Sequence, residues 1–120
     1  MAASRSVLVV DQSDETREVL RTVLQRRGLS ILEARAAQQG IDMARKHQPD
    51  LIVLDLETES CESDDTPLDF DGPDGQPRPV ILLGTARRQA ARLPGAEFVS
   101  KPYHYGPLIR RIEELLESTR

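Results

Sequence analysis

The chain has 120 residues, with 16 basic and 20 acidic side chains and a net charge of −4. That is room for one domain with a real core, and the acidic balance argues against nucleic acid as a direct partner, because phosphates call for a basic face. No apolar stretch approaches a membrane span, residues 1–6 lack a signal-peptide core, and the lone Cys61 excludes an internal disulfide and fits a reducing cytoplasm.

Ser6–Val7–Leu8–Val9–Val10–Asp11 reads as a buried strand ending in an acid. Ser13 or Asp14 can cap the helix that follows, whose stripe is Val19, Leu20, Val23 and Leu24, with Gly28 as its C′ residue. Leu29–Glu33 reads as a short strand. Ala36–His47 reads as a second helix, with Ala37, Ile41 and Ala44 on one face and Pro49 as its stop. In Asp50–Leu51–Ile52–Val53–Leu54–Asp55, four consecutive apolar residues without alternation mark a strand buried on both faces, closed by a carboxylate. The order βαβαβ implies parallel strands joined by right-handed crossovers.

From Glu57 to Arg78 the pattern collapses. Glu57, Glu59, Glu62, Asp64, Asp65, Asp69, Asp71 and Asp74 face a single base, Arg78, with Pro67, Pro73 and Pro77 scattered among them. Repulsion and proline predict an irregular acidic segment over 57–78, with at most a helical turn at Thr66–Phe70. The Asp69, Asp71 and Asp74 spacing fails as a calcium loop, because Pro73 takes a ligand position and no closing Glu follows. Cys61 has no assignable role there, and His47 and His104 lack metal-ligand spacing.

Pro79–Val80–Ile81–Leu82–Leu83 restores a buried strand that ends at Gly84–Thr85. Ala86–Leu93 leaves room for two helical turns before Pro94–Gly95, and Glu97–Phe98–Val99–Ser100 is a fifth strand ending at Lys101–Pro102. A last helix starts with Pro107 at its first position and carries Leu108, Ile109, Ile112, Leu115 and Leu116 as its stripe. With no Trp and 3% aromatics, the core must be aliphatic. No repeat or linker divides the chain, so 1–120 reads as a single domain.

In a parallel sheet the carboxyl ends of all strands share one edge, which gathers Asp11, Asp55, Lys101 and the Thr85 hydroxyl. Two close carboxylates repel unless something positive lies between them. Their hard oxygens suit Mg²⁺, which takes one or two carboxylates and keeps several waters. A lysine ammonium beside them suits a phosphoryl oxygen, and a carboxylate so placed can act as nucleophile and form an aspartyl phosphate.

In order and spacing, the Val9–Val10–Asp11 strand end, the Leu51–Asp55 run, Pro79–Val80–Ile81, Thr85–Ala86 and Lys101–Pro102 resemble the receiver domain of bacterial two-component response regulators over nearly the whole chain. The resemblance implies a flavodoxin-like, doubly wound sheet of five parallel strands in order 2-1-3-4-5, with the third helix degenerate or replaced by the acidic loop. It places Asp55 at the phosphoacceptor, Asp11 at a metal-ligating acid and Lys101 at the phosphoryl-contacting lysine. Asp55 and the backbone carbonyl of Glu57 would complete the Mg²⁺ ligands, and a cis peptide is implied at Lys101–Pro102. Phe98 takes the place of the aromatic that moves inward on activation. The implied partner is a sensor histidine kinase or phosphotransfer protein. A dimer face would run through the fourth helix, fifth strand and last helix.

The chain departs from that pattern in three places. Gln12 stands where the family has a second acid. It can still meet a metal-bound water, but the lost charge weakens Mg²⁺ binding by roughly tenfold. Gly84 stands where the family has its switch Ser or Thr, and Thr85, one place late, substitutes only if a bulge at Gly84 re-aims it. The third helix is not recognisable and the fourth is short.

Two functions follow from these residues. One is a phosphorylatable receiver, a cytoplasmic switch and not an enzyme. The alternative is a pseudo-receiver that kept the fold as a protein-interaction module. A flavin site is disfavoured, because Asp11–Gln12–Ser13–Asp14 would repel the flavin phosphate. No DNA-binding or catalytic stretch follows Arg120, so the expectation is a stand-alone regulator or a piece of a longer protein.

Overall fold

The apolar runs pair side by side through parallel ladders. The computed structural model describes residues 5–56, 70, 78–85, 93 and 95–118. Its elements are β1 (Ser6–Val10), α1 (Asp14–Arg26), β2 (Ser30–Ala34), α2 (Ala37–His47), β3 (Leu51–Asp55), β4 (Val80–Gly84), β5 (Glu97–Ser100) and α3 (Tyr105–Ser118). The sheet runs β2-β1-β3-β4-β5, the flavodoxin-like order expected. β3 and β4 are buried at every residue, which is why they read as unbroken apolar runs.

Alternation along each strand divides the core in two. Val7, Val9, Leu51, Val53, Ile81 and Leu83 pack against Leu20 and Leu24 of α1 and Leu108, Ile109, Ile112 and Leu116 of α3. Leu8, Val10, Ile52, Leu54, Val80 and Leu82 pack on the other face against Ala37 and Ala44 of α2, and Phe70 closes over them at 2% exposure. The helices are capped as the residues suggest. Ser13 is the N-cap of α1 and accepts from the Thr16 N–H at 3.2 Å, while Gly28 turns the chain at φ +86°.

Boundaries moved where ladder or cap chemistry overrode spacing. β2 runs to Ala34, which pairs with Val10. Asp50 stays outside β3, its side chain accepting from the Ser6 N–H at 2.8 Å. The last helix starts at Tyr105 and not at Pro107; a proline at the third helical position still removes only an N–H that has no intrahelical partner. The acidic segment over 57–78, the turn at Thr66–Phe70 and the short helix over Ala86–Leu93 fall outside the described residues, apart from Phe70, Arg78, Leu93 and the neighbouring strand.

At Gly40, α2 packs close against the sheet. A Cβ there would stand 2.6 Å from a Val10 methyl, and Val10 is fully buried and stiff at χ1. We expect Gly40→Ala to lose about 1–2 kcal/mol, the ~1 kcal/mol gain in helix propensity being outweighed by overpacking of up to ~3 kcal/mol. Gly106→Ala, with nothing near its Cβ, should instead gain up to about 1 kcal/mol. Urea unfolding of the two variants should therefore shift in opposite directions.

Candidate functional site

Three charged side chains meet at the carboxyl edge of the sheet. Asp11 and Lys101 follow directly on β1 and β5, and Asp55 closes β3. Each continues the phase of the residues that face α1 and α3: Val9 for Asp11, Val53 for Asp55, Val99 for Lys101. Lys101 Nζ donates to Asp55 Oδ1 at 2.7 Å. The Lys101–Pro102 peptide is cis, as the resemblance implied.

Asp11 is 2% exposed and Asp55 7%. The Asp11 N–H donates to the Ala34 carbonyl at 3.0 Å, and Asp11 Oδ1 accepts from the Ser13 N–H at 2.8 Å. Burial pushes the Asp11 carboxyl up to about 6, against the pull of the Ser13 N–H; the Asp55 charge and a hydrogen bond between the two acids add to the rise, and Lys101 offsets part of it. A cleft of about 470 Å³ opens above these groups, lined by Asp11, Thr16, Asp55, Thr85, Lys101, Pro102, Tyr103 and Tyr105.

The ladder beside Thr85 is continuous. Leu83 pairs with Asp55 and Val99, Gly84 pairs with Ser100, and the Lys101 N–H donates to the Gly84 carbonyl at 2.8 Å. The bulge expected at Gly84 is therefore not there, and Thr85 does not need it. Thr85 is in phase with Ile81 and Leu83, the residues on the Asp55 side, and borders the cleft directly. Gln12 is exposed on the turn after β1 and does not line the cleft. Phe98 lies on the opposite face of β5, half-buried against the α2-side cluster. Glu57 falls outside the described residues.

Sequence reasoning missed three residues here. Arg17, in phase with Leu20 and Leu24 on α1, is 9% exposed. Its Nε donates to the Asp11 carbonyl at 2.7 Å, and its guanidinium pairs with Glu33 at 3.2 Å and with Asp14. Its helical phase with two core leucines was the available signal. Tyr103 and Tyr105 stand two and four residues after Lys101, in edge-to-face contact with centroids 5.6 Å apart. Burial holds the Tyr103 phenol well above its ordinary range, and Tyr105 and the two acids add to that, so it stays neutral.

The donor set fits Mg²⁺. Two buried carboxylates stand beside one ammonium, and burial first, with the Asp55 charge added to it, raises Asp11. Mg²⁺ takes one or two carboxylates and keeps several waters; among the described residues no group of three His, Cys, Asp or Glu gathers. No helix among the described residues is long and apolar enough to cross a membrane.

A family model described as the response regulator receiver domain matches residues 7–113. The KDP operon transcriptional regulatory protein KdpE of Escherichia coli (strain K12) is 31% identical over 116 residues, covering 92% of this chain and 51% of that protein. The transcriptional regulatory protein SrrA of Staphylococcus aureus (strain NCTC 8325 / PS 47) is 26% identical over 122 residues, covering 98% and 50%. Among solved structures, the signal receiver domain of a signal transduction histidine kinase from Syntrophus aciditrophicus matches with a TM-score of 0.79 at 26% identity, covering 98% of this chain and 93% of that one. The chain spans about half the length of the curated relatives it matches.

The raised Asp11 carboxyl has a signed consequence for stability. The folded state holds its proton more tightly than the unfolded chain, so without metal the Asp11 contribution is full below pH ~4 and is lost as pH rises through about 6. Asp11→Asn should therefore stabilise the metal-free domain at pH 7.5, by on the order of 1–3 kcal/mol. The gain should shrink towards zero near pH 4. Urea unfolding in the presence of a chelator at the two pH values checks both the sign and the window.

Proposed function

The chain belongs to the response regulator receiver domain family, and from there we propose that Asp55 accepts a phosphoryl group from the phosphohistidine of a sensor histidine kinase or phosphotransfer protein. The observation that carries the reading is the 2.7 Å contact of Lys101 Nζ with Asp55 Oδ1 in a cleft that also holds Asp11. The reaction would take place in the cytoplasm, with Mg²⁺ held by Asp11, Asp55 and the Glu57 backbone carbonyl. When bound, Mg²⁺ neutralises charge on the phosphoryl and carboxylate oxygens.

The remaining steps belong to this chain's own residues. The Asp55 carboxylate attacks phosphorus in line with the leaving nitrogen. Lys101 then exchanges a carboxylate oxygen for a phosphoryl oxygen that carries more charge, about −2 over the group. Its movement pulls on the Lys101–Pro102 junction between β5 and α3. Thr85 offers its hydroxyl to the same phosphoryl group from the cleft side of β4, while Phe98 packs on the other face of the sheet. The output face would be built from the 86–93 region, β5 and α3, a surface on which two copies could pair. The domain acts as a two-state switch and not as a turnover enzyme.

Acetyl phosphate with Mg²⁺, followed by intact mass, tests the reading. Wild type should gain one phosphoryl group and Asp55→Asn none. Lys101→Ala should be modified about a hundredfold more slowly, the typical loss when one group that meets developing negative charge is removed. If wild type stays unmodified at every Mg²⁺ concentration, the proposal is wrong.

A further inference from the structure

The cleft holds about 470 Å³ and extends past its charged groups. Its charged and hydroxyl-bearing floor is Asp11, Asp55, Lys101 and Thr85, and the rest of its lining is Thr16, Pro102, Tyr103 and Tyr105. Tyr103 and Tyr105 are the chain's only tyrosines, and it has no Trp. So half of its four aromatic residues stand at this cleft, and the other two, Phe70 and Phe98, pack on the opposite face of the sheet.

An in-line displacement fixes where the leaving group sits. It lies across phosphorus from the Asp55 oxygen, and so outward from the floor. Both tyrosine rings are anchored from behind, since each packs against the cluster under α1 and α3. Their edge-to-face contact, centroids 5.6 Å apart, joins the two rings along one side of the cleft. Tyr103 stays neutral there, so it adds no charge to repel a donor.

On the reading of Asp55 as phosphoacceptor, we infer that Tyr103 and Tyr105 form a leaving-group subsite for a planar imidazole, so that the cleft selects phosphorylated imidazoles over acyl phosphates. The Asp55 Oδ–P bond forms as the P–N bond breaks. The electron pair stays on nitrogen, and a donor protonated on its other ring nitrogen departs as neutral imidazole. A neutral flat ring gains from an aromatic wall. Acetate, small and anionic, gains nothing from it.

The test compares two donors with Mg²⁺, phosphoimidazole and acetyl phosphate, on the full chain by intact mass. The readout is the ratio of the two rate constants. Tyr103→Leu and Tyr105→Leu should lower the ratio about three- to tenfold, the range that one or two aromatic contacts supply. Tyr103→Phe, which keeps the ring, should hold the wild-type ratio. Tyr105→Leu carries the test should Tyr103→Leu not fold. A ratio that stays within about twofold of wild type in the Leu variants overturns the subsite and leaves Asp55 as phosphoacceptor. A Tyr103→Phe ratio as low as that of Tyr103→Leu assigns the effect to the hydroxyl and also overturns it. Wild type that accepts neither donor removes both readings at once.

Discussion

One ammonium shared between two buried carboxylates is the constraint around which this domain is arranged. At an effective dielectric near 20, unit charges about 4 Å apart interact by about 4 kcal/mol. Lys101 can offset one acid, and its 2.7 Å bond goes to Asp55. Asp11, 2% exposed, is left to burial and to the like charge beside it, which together raise its carboxyl. The pocket thus carries negative charge that it does not neutralise itself. A divalent cation can fill that deficit, and a phosphoryl group would enlarge it.

Strand phase brings these groups together over long separations in sequence. Side chains alternate along each strand, so a one-residue slip in β3 would turn Asp55 towards α2 and away from Lys101. The register is pinned by unbroken ladders between β1, β3, β4 and β5 and by the buried aliphatic residues on both faces. At the β1 end, Arg17 holds the Asp11 carbonyl and reaches across to Glu33 of β2, tying the turn that carries the acid to the neighbouring strand. Fold stability and site geometry rest on the same packing.

Most of this was legible in the residues because it is written in local periodicity. Unbroken apolar runs located the strands of the sheet, and a charge at the end of three of them located the site. What was not legible depended on partners distant in sequence. The start of α3 was misplaced because proline tolerates several first-turn positions, and only the packed helix shows Tyr105 leading it. The bulge invoked for Thr85 came from counting against a pattern, whereas pairing with β3 and β5 sets its actual phase. Arg17 was missed although it shares the phase of Leu20 and Leu24, because arginine is seldom buried and what permits it here is the main-chain and carboxylate acceptors it satisfies. Tyr103 and Tyr105 were passed over because their value lies in what they border and not in their spacing.

Two of the departures, Gln12 and Gly84, bear on whether the pocket is kept for chemistry or only for shape. An interaction module needs the sheet and helices, and for folding alone a carboxylate as buried as Asp11 is a liability. A neutral residue of similar size would relieve both its desolvation and its repulsion from Asp55. Gln12 shows that one neutral replacement fits this turn, and it sits at the exposed position, where a charge costs least. The two acids at the costly positions remain, with the lysine bonded to one of them. A carboxyl such as Asp11, held in an open cleft where burial disfavours its charge, marks a candidate site for chemistry. Thr85 follows the same logic, since a hydroxyl in phase with Leu83 borders the cleft even though Gly84 offers none. The residues on which the proposed phosphoryl transfer rests, Asp11, Asp55 and Lys101, stand together in the cleft.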